Sequence, residues 1–341
     1  MGFRIFRRVM PGLLLVALAA CTGSSGGGAA RAPDGLPELT ITVFAAPSQS
    51  IWLPTLIQEL KLDRKQGFHL RVNPKPGRIA YADFATGADP VCYCAAPAAV
   101  ARFVERGADI TLLWNVFNLD YFIVSGRDDV RTVADLAGKR LGADTGTGSW
   151  AITAWLLQRN GLDPERLQLR SLSSNASVTT ELALGRLDAA LAGVVNLASL
   201  STSDDGGRYR VVDLHQEEIW RRQESSPGIP SIAFGVWRPW LADEGNRALA
   251  GKFYRANLEA AAYLRAHPRE AARIISARTA MPEAALAHVF EHNADIIDIR
   301  PISEYRGAIR LLTQRLLPEA GLLERPLTDR ELDAYVSDFQ P

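Results

Sequence analysis

Lysine, histidine, cysteine and methionine are all scarce in this 341-residue chain. It has five lysines (Lys61, Lys65, Lys75, Lys139 and Lys252), five histidines, three cysteines and three methionines. The excess of arginine over lysine reads as genome composition rather than chemistry. Acidic and basic residues balance at 38 each. No basic stripe stands out, which argues against a nucleic-acid partner. Beyond the N-terminal segment no apolar run reaches the ~20 residues a membrane-spanning helix needs. Cys92 and Cys94 have no third ligand at a recognisable spacing, so a zinc site is not supported. Their side chains share one face of an expected strand, where a disulfide across a single residue is geometrically poor, so they are expected as core thiols. His288 and His292 lie four apart on one helical face, but without the glutamate of an HExxH site they read as a solvated face. There is no nucleophile elbow, no P-loop and no dinucleotide fingerprint, since Gly146-Thr147-Gly148 lacks the third glycine. No cofactor and no metal are expected.

The N-terminus is informative. Arg4, Arg7 and Arg8 precede a short apolar run at 13–19, which ends in small residues as a secretory signal does. Leu18-Ala19-Ala20-Cys21 resembles the bacterial lipobox, so residues 1–20 are expected as signal peptide and Cys21 as the lipidated N-terminus. Residues 21–37 are expected to be a flexible tether, because 22–35 (TGSSGGGAARAPDG) are rich in Gly, Ser, Ala and Pro without apolar periodicity. A diacyl anchor buries two chains, enough to hold a domain on a membrane without a spanning helix. Loss of the three signal arginines takes the basic count from 38 to 35 against 38 acidic residues.

The remainder suits two lobes. Residues 38–45 alternate with period two and read as a strand; a helix follows from about Trp52. Further strands are expected at 68–72, 91–94 and 110–113, with helices at 79–86 and after Pro97. This βα rhythm argues for a mainly parallel sheet. Residues 121–125 (YFIVS) read as a crossover strand into a second lobe, which repeats the rhythm with strands at 140–143, 167–172 and 189–192. Residues 231–236 (SIAFGV) would be the return crossover, and 245–337 are expected to be nearly all helical. The expected bounds are 38–122 plus 232–341 for lobe one and 123–231 for lobe two.

Four motifs in order carry a resemblance. Asp135-Leu136-Ala137-Gly138-Lys139-Arg140-Leu141-Gly142 is followed by Thr145-Gly146-Thr147-Gly148-Ser149-Trp150. Leu156-Leu157-Gln158-Arg159-Asn160-Gly161-Leu162 and Ala183-Leu184-Gly185-Arg186-Leu187-Asp188-Ala189-Ala190 come next. Together they resemble the nitrate/sulfonate/taurine-type substrate-binding proteins of ABC importers, within a superfamily that includes the thiamine-pyrimidine synthases. The likeness is strong over 135–192 and looser elsewhere. It implies an α/β, type II periplasmic-binding-protein fold: two α/β lobes joined by two crossover strands, with a helical C-terminal region.

Ligands of open α/β sheets sit at the carboxyl ends of strands. The best candidate segment is Thr145, Gly146, Thr147 and Ser149 with Trp150, where a strand end meets a helix start and free N–H groups, hydroxyls and a helix dipole converge. Ser48, Gln49 and Trp52 follow the first strand. Cys94 and Ala95 end the third, and Asn175 and Asn196 each follow a strand of lobe two. Each has a plainer reading as a cap, turn or core residue. The candidate loops carry no Arg or Lys, so an anion would rest on N–H and hydroxyl donors. Trp52, Tyr93, Trp114, Phe117 and Trp150 leave room for a planar solute.

The expectation is an extracytoplasmic, lipid-anchored, monomeric receptor, in the periplasm or on the cell surface. It would bind a small-molecule solute, an anion or planar organic compound, and deliver it to ABC permease subunits. It would not be an enzyme. One rival is a thiamine-pyrimidine synthase-like enzyme, which the resemblance says would need a Schiff-base lysine and a cleft histidine; no lysine or histidine falls in a candidate loop. Another is a ligand-sensing co-receptor.

Overall fold

The opening alternation becomes β1 (Glu38–Phe44), whose Leu39, Ile41 and Val43 are buried. The computed structural model describes residues 31–172, 175–202, 206–223 and 226–340; the signal segment and Cys21 lie outside them, as do the side chains of Asn175, Ala176 and Gly206. The strands β2 (His69–Lys75) and β3 (Val91–Ala95) flank β1 in parallel. Beyond β3 the sheet alternates in direction: the next strand runs against β3, the one after it runs with β3, and the edge strand is reversed again. In chain order the remaining strands are β4 (Ile110–Asn118), β5 (Tyr121–Ser125), β6 (Arg140–Ala143), β7 (Gln168–Ser171), β8 (Ala189–Gly193), β9 (Arg210–Val212), β10 (Pro230–Trp237) and β11 (Ile297–Pro301).

The first sheet has the order β11-β4-β10-β3-β1-β2 and the second β7-β6-β8-β5-β9. In each, one strand arriving from the other lobe is inserted antiparallel: β10 between β3 and β4, and β5 between β8 and β9. The sheets are therefore mixed rather than mainly parallel, because a strand entering from the opposite lobe points against its neighbours. The chain passes from β4 to β5 through Leu119 and Asp120, and returns from β9 over residues 213–229 to enter β10 at Pro230.

The helices cover the sheets. In lobe one, α1 (Trp52–Glu59), α2 (Leu62–Lys65), α3 (Gly77–Thr86) and α4 (Pro97–Glu105) follow the first strands. Lobe two adds α5 (Gly148–Arg159), α6 (Asn175–Ala183), α7 (Val194–Ser201) and α8 (Gln216–Gln223). Then α9 (Arg238–Ala242), α10 (Glu244–Ala266), α11 (Pro268–Thr279) and α12 (Glu283–His292) return to lobe one. No helix of the described residues is long and apolar enough to cross a membrane.

Several expectations need correction. The C-terminal stretch is not helical throughout: Ile297 and Ile299 are buried while Arg300 is exposed, and this period-two pattern forms β11 on the edge of β4. The tether ends earlier than residue 37. Arg31 bridges Pro37, Ala32 is buried, and Asp34 pairs with Arg64, so residues 31–37 are packed on the domain. Cys92 and Cys94 are not free thiols but joined by a disulfide. Ala95 pairs with Ala233 and Cys92 with Gly235, so β3 spends three steps where β10 spends two. This bulge brings the two Cα atoms to 5.1 Å, inside the roughly 4.4–6.8 Å that disulfides span.

The motifs behind the resemblance are mostly scaffold. Asp188 opens β8 and is buried; its carboxylate accepts from the Arg140 backbone at 2.9 Å and pairs with the Arg140 guanidinium at 2.9 Å and with Arg127 at 3.4 Å. The Arg140 hydrogen bond holds its pKa down at about 2. This pin fixes β8 against β6. Gly185, at φ +70°, supplies the left-handed turn between α6 and β8 that a side chain would strain.

Candidate functional site

A cavity of about 440 Å³ lies between the lobes, at the carboxyl ends of β1, β3, β6 and β8. Lobe one lines it with Phe44, Pro47, Ser48 and Gln49, with Gly77 and Tyr81 of α3, and with the first turns of α4, including Ala98 and Arg102. Lobe two contributes Asp144 and Gly146 to Ser149 at the start of α5, and Gly193 to Asn196 at the start of α7. The two passages between the lobes, Leu119 to Tyr121 and Pro230 to Ile232, line it as well. The N-terminal turns of α3, α4, α5 and α7 thus all border one space. Their unpaired N–H groups and dipole ends favour a ligand rich in hydrogen-bond acceptors.

The sequence candidates divide. Ser48, Gln49, Gly146, Thr147, Ser149 and Asn196 line the cavity. Two of them also have plainer work: Ser48 caps the turn that begins at Gln49, and Thr147 caps α5 by accepting from the Trp150 N–H at 3.3 Å. The Ser149 hydroxyl has no protein partner among the described residues. Thr145 does not line the cavity; it hydrogen-bonds the Ser171 hydroxyl at 2.7 Å. Trp52, Cys94 and Ala95 are fully buried in the cores, and Trp150 is 9% exposed and packed in the core as well. Asn175 opens α6, but its side chain lies outside the described residues.

The aromatic expectation also fails residue by residue. Tyr93, Trp114 and Phe117 join Trp52 in the core of lobe one. The rings that do face the cavity are Phe44, Tyr81 and Tyr121. Phe44 meets Tyr81 edge-on at 5.2 Å. Burial raises the Tyr81 phenol, and a hydrogen bond with the Ala96 backbone lowers it again. Nor does the cavity lack a cation: Arg102, two turns into α4, lines it and makes no ion pair among the described residues. Reasoning from loops alone could not find a residue on a helix.

Gly146 is not the tight position either. It is exposed, and a Cβ there would meet only Asp144 Oδ1 at 3.7 Å. The close approach belongs to Gly148, where a Cβ would lie 2.2 Å from the Ala98 Cβ. The first turns of α5 and α4, one from each lobe, touch there because residue 148 has no side chain.

The other residue not foreseen is Asp120. It sits on the passage between β4 and β5, is 4% exposed and lines the cavity, and its Oδ1 has no hydrogen-bond partner among the described residues. Burial raises its pKa to about 7, while its own backbone N–H, the Gln49 side chain and the Val194 N–H pull it the other way. A lone acid between two apolar strands, in Asn118-Leu119-Asp120-Tyr121, was the available signal. Among the described residues no group of three or more His, Cys, Asp or Glu side chains could hold a metal ion.

No curated protein matches this sequence. Several solved structures are similar to it. The periplasmic aliphatic sulphonate binding protein SsuA from Escherichia coli superposes with a TM-score of 0.74 at 17% identity, covering 89% of this chain and 92% of that one. The CA3427 gene product of Candida albicans, described as having the generic periplasmic binding protein fold, gives 0.61 at 17% identity over 90% and 98%. The desulfurization enzyme DSZB gives 0.58 at 16% identity over 88% and 97%. At these identities the likeness is one of fold, and this fold serves both binding proteins and an enzyme. It is the periplasmic-binding-protein fold, with a helical C-terminal region. The family likeness is in the sequence itself: residues 64–271, more than half of the chain, match the NMT1/THI5 like family, and the chain belongs to it.

Proposed function

We propose that this chain is the solute receptor of an ATP-driven importer. It captures a small anion or planar organic solute in the interlobe cavity and presents it to ABC permease subunits. A lipid on Cys21 and the short tether after it would hold the receptor outside the cytoplasmic membrane. The lobes, with the passages at 119–120 and 230 as hinge, would correspond to 38–122 plus 232–341 and 123–231. The observation that carries the reading is the convergence of four helix N-termini on one cavity between two lobes. Ser48, Gln49, Gly146, Thr147, Ser149 and Asn196, which line that cavity, would touch the ligand. The cavity wall offers hydroxyls, amides, Arg102 and two aspartates, a set suited to holding a solute by hydrogen bonds. The enzyme reading draws on the shared fold with DSZB; turnover of a bound compound would favour it.

The test is a thermal-shift screen over inorganic anions, sulfonates, aromatic acids and vitamin precursors, since a ligand that binds only the native state raises its stability. Small-angle scattering on any hit should show a smaller radius of gyration. Gly148→Val should fold with near-normal stability yet hold α4 and α5 apart, weakening binding by about tenfold or more, the scale of one or two lost contacts. If Gly148→Val binds and closes like the parent, the cavity between these helices is not the binding site.

A further inference from the structure

Asp120 is out of keeping with a cavity built only for an anion. Helix N-termini and Arg102 supply positive character, yet the passage between the lobes places a carboxylate that is 4% exposed in the same wall. Its Oδ1 has no partner among the described residues. Buried carboxylate oxygens are rarely left unpaired, because losing water without gaining a donor is costly. Once ionised, as at pH 8, the carboxylate can only accept hydrogen bonds, so whatever satisfies it there must donate.

The charges facing the cavity point the same way. The titratable or charged residues lining it are Asp120, Asp144, Arg102, Tyr81 and Tyr121. Asp144 accepts from the Gly146 N–H at 3.3 Å. Among the lining side chains, two carboxyl groups face one guanidinium. Gln49 and the Val194 N–H approach the Asp120 carboxyl from lobe one and lobe two. Among the described residues they leave the Oδ1 of Asp120 as a buried acceptor without a donor.

Resting on the solute-receptor reading above, we infer that the solute carries an amino group or a ring N–H that docks on Asp120. Asp120 thereby selects nitrogen-bearing solutes over counterparts with a hydroxyl or a hydrogen at that position. The acceptor-rich end of the same molecule would face the helix N-termini and Arg102. A solute with both kinds of group answers every unpaired element of the cavity at once. A simple anion answers only half of them.

Three matched pairs test this by calorimetry at pH 8 on the purified chain: 4-aminopyrimidine against pyrimidine, benzylamine against benzyl alcohol, and taurine against isethionate. At least one amino compound should bind tenfold or more tightly than its partner, about what a charge-assisted hydrogen bond is worth. Asp120→Asn, with Asp120→Ser as a second variant, should erase that preference, and thermal unfolding without ligand checks that both variants fold. A preference that survives both variants overturns the inference. Tight, lobe-closing binding of only the nitrogen-free members overturns it too, while leaving the receptor reading intact. If none of the six compounds binds, the inference falls, and the broader solute screen decides the receptor reading separately.

Discussion

On the outer face of lobe one, aromatic rings fill the space between sheet and helices. Trp52 meets Phe117 and Phe290 edge-on at 5.7 and 5.0 Å, and Trp114 stacks on Phe234 at 4.2 Å. Phe253 of α10 touches Phe68, Tyr93, Trp114 and Phe234. On the outer face of lobe two, the equivalent space holds Val178, Leu182, Leu187, Ala190, Ala192 and Leu200. Both sheets have the same kind of strand order, yet one is backed by large rings and three C-terminal helices and the other by small aliphatics and two short helices. Burial scales with area, so this face of lobe one carries more packing energy than its counterpart in lobe two, whose large rings, Trp150, Trp155 and Trp220, lie in a separate core cluster. Lobe two depends more on polar pins such as Asp188 with Arg140. A heavy base and a lighter lobe, joined by two passages, suit a cleft that opens and closes without disturbing the base.

The sharpest way to break this contrast is Phe253→Ala. Removing a fully buried ring from the centre of the aromatic core should cost about 3–5 kcal/mol. A urea titration that shows a loss below 1 kcal/mol would mean that lobe one is not the rigid partner.

Asp120 lies between the lobes and should show itself in the pH dependence. Its folded pKa, about 7, is above the ordinary 3.8, so between these values the folded state holds a proton that the unfolded chain has released. Its contribution to stability is fully present below pH 3.8 and is lost as pH rises through 7. The loss by pH 8 is on the order of 2–4 kcal/mol. Asp120→Asn should flatten that segment of the stability profile and be the more stable protein at pH 8. Parallel profiles for the two proteins would show that the carboxyl is not desolvated.

Asp188 has the opposite sign. Its folded pKa, about 2, is below the ordinary 3.8, so its contribution is present above pH 3.8 and lost as pH falls toward 2. Asp188→Asn should cost roughly 2 kcal/mol at neutral pH and loosen lobe two first. Hydrogen exchange should report faster exchange in β6 and β8 than in β1 and β3; equal acceleration everywhere would contradict the pin.

The smallest effect is expected from Val178→Ala in the aliphatic core of lobe two, about 1–2 kcal/mol. If it equals the cost of Phe253→Ala, the two lobes are matched in packing after all and the contrast is only one of ring count.

Much of the scaffold was legible along the chain. The alternation at 38–45, the strand at 140–143 and the two apolar crossovers fall where local pattern put them, because strand and helix periodicities are properties of neighbouring residues. Ile297-Asp298-Ile299-Arg300 carries the same alternation, but it is only four residues long and lies between helical segments. The site was less legible. Half of the named candidates line the cavity because strand ends and helix starts can be read locally. Trp52 and Trp150 do not, since nothing in a sequence says whether a ring near a strand end turns into the core or out of it.

What the sequence by itself determined is the set of elements, their order, the double βα rhythm and the membership of the family, all of which follow from local periodicity and short motifs. What only the tertiary structure decided is which residues meet. The bulge in β3 that joins Cys92 to Cys94, the contact of Gly148 with Ala98, the entry of Arg102 into the cavity and the burial of Asp120 all depend on parts of the chain distant in sequence. Those approaches are set by how two sheets and their helices pack around a shared space, and packing depends on shape in three dimensions rather than on spacing along one.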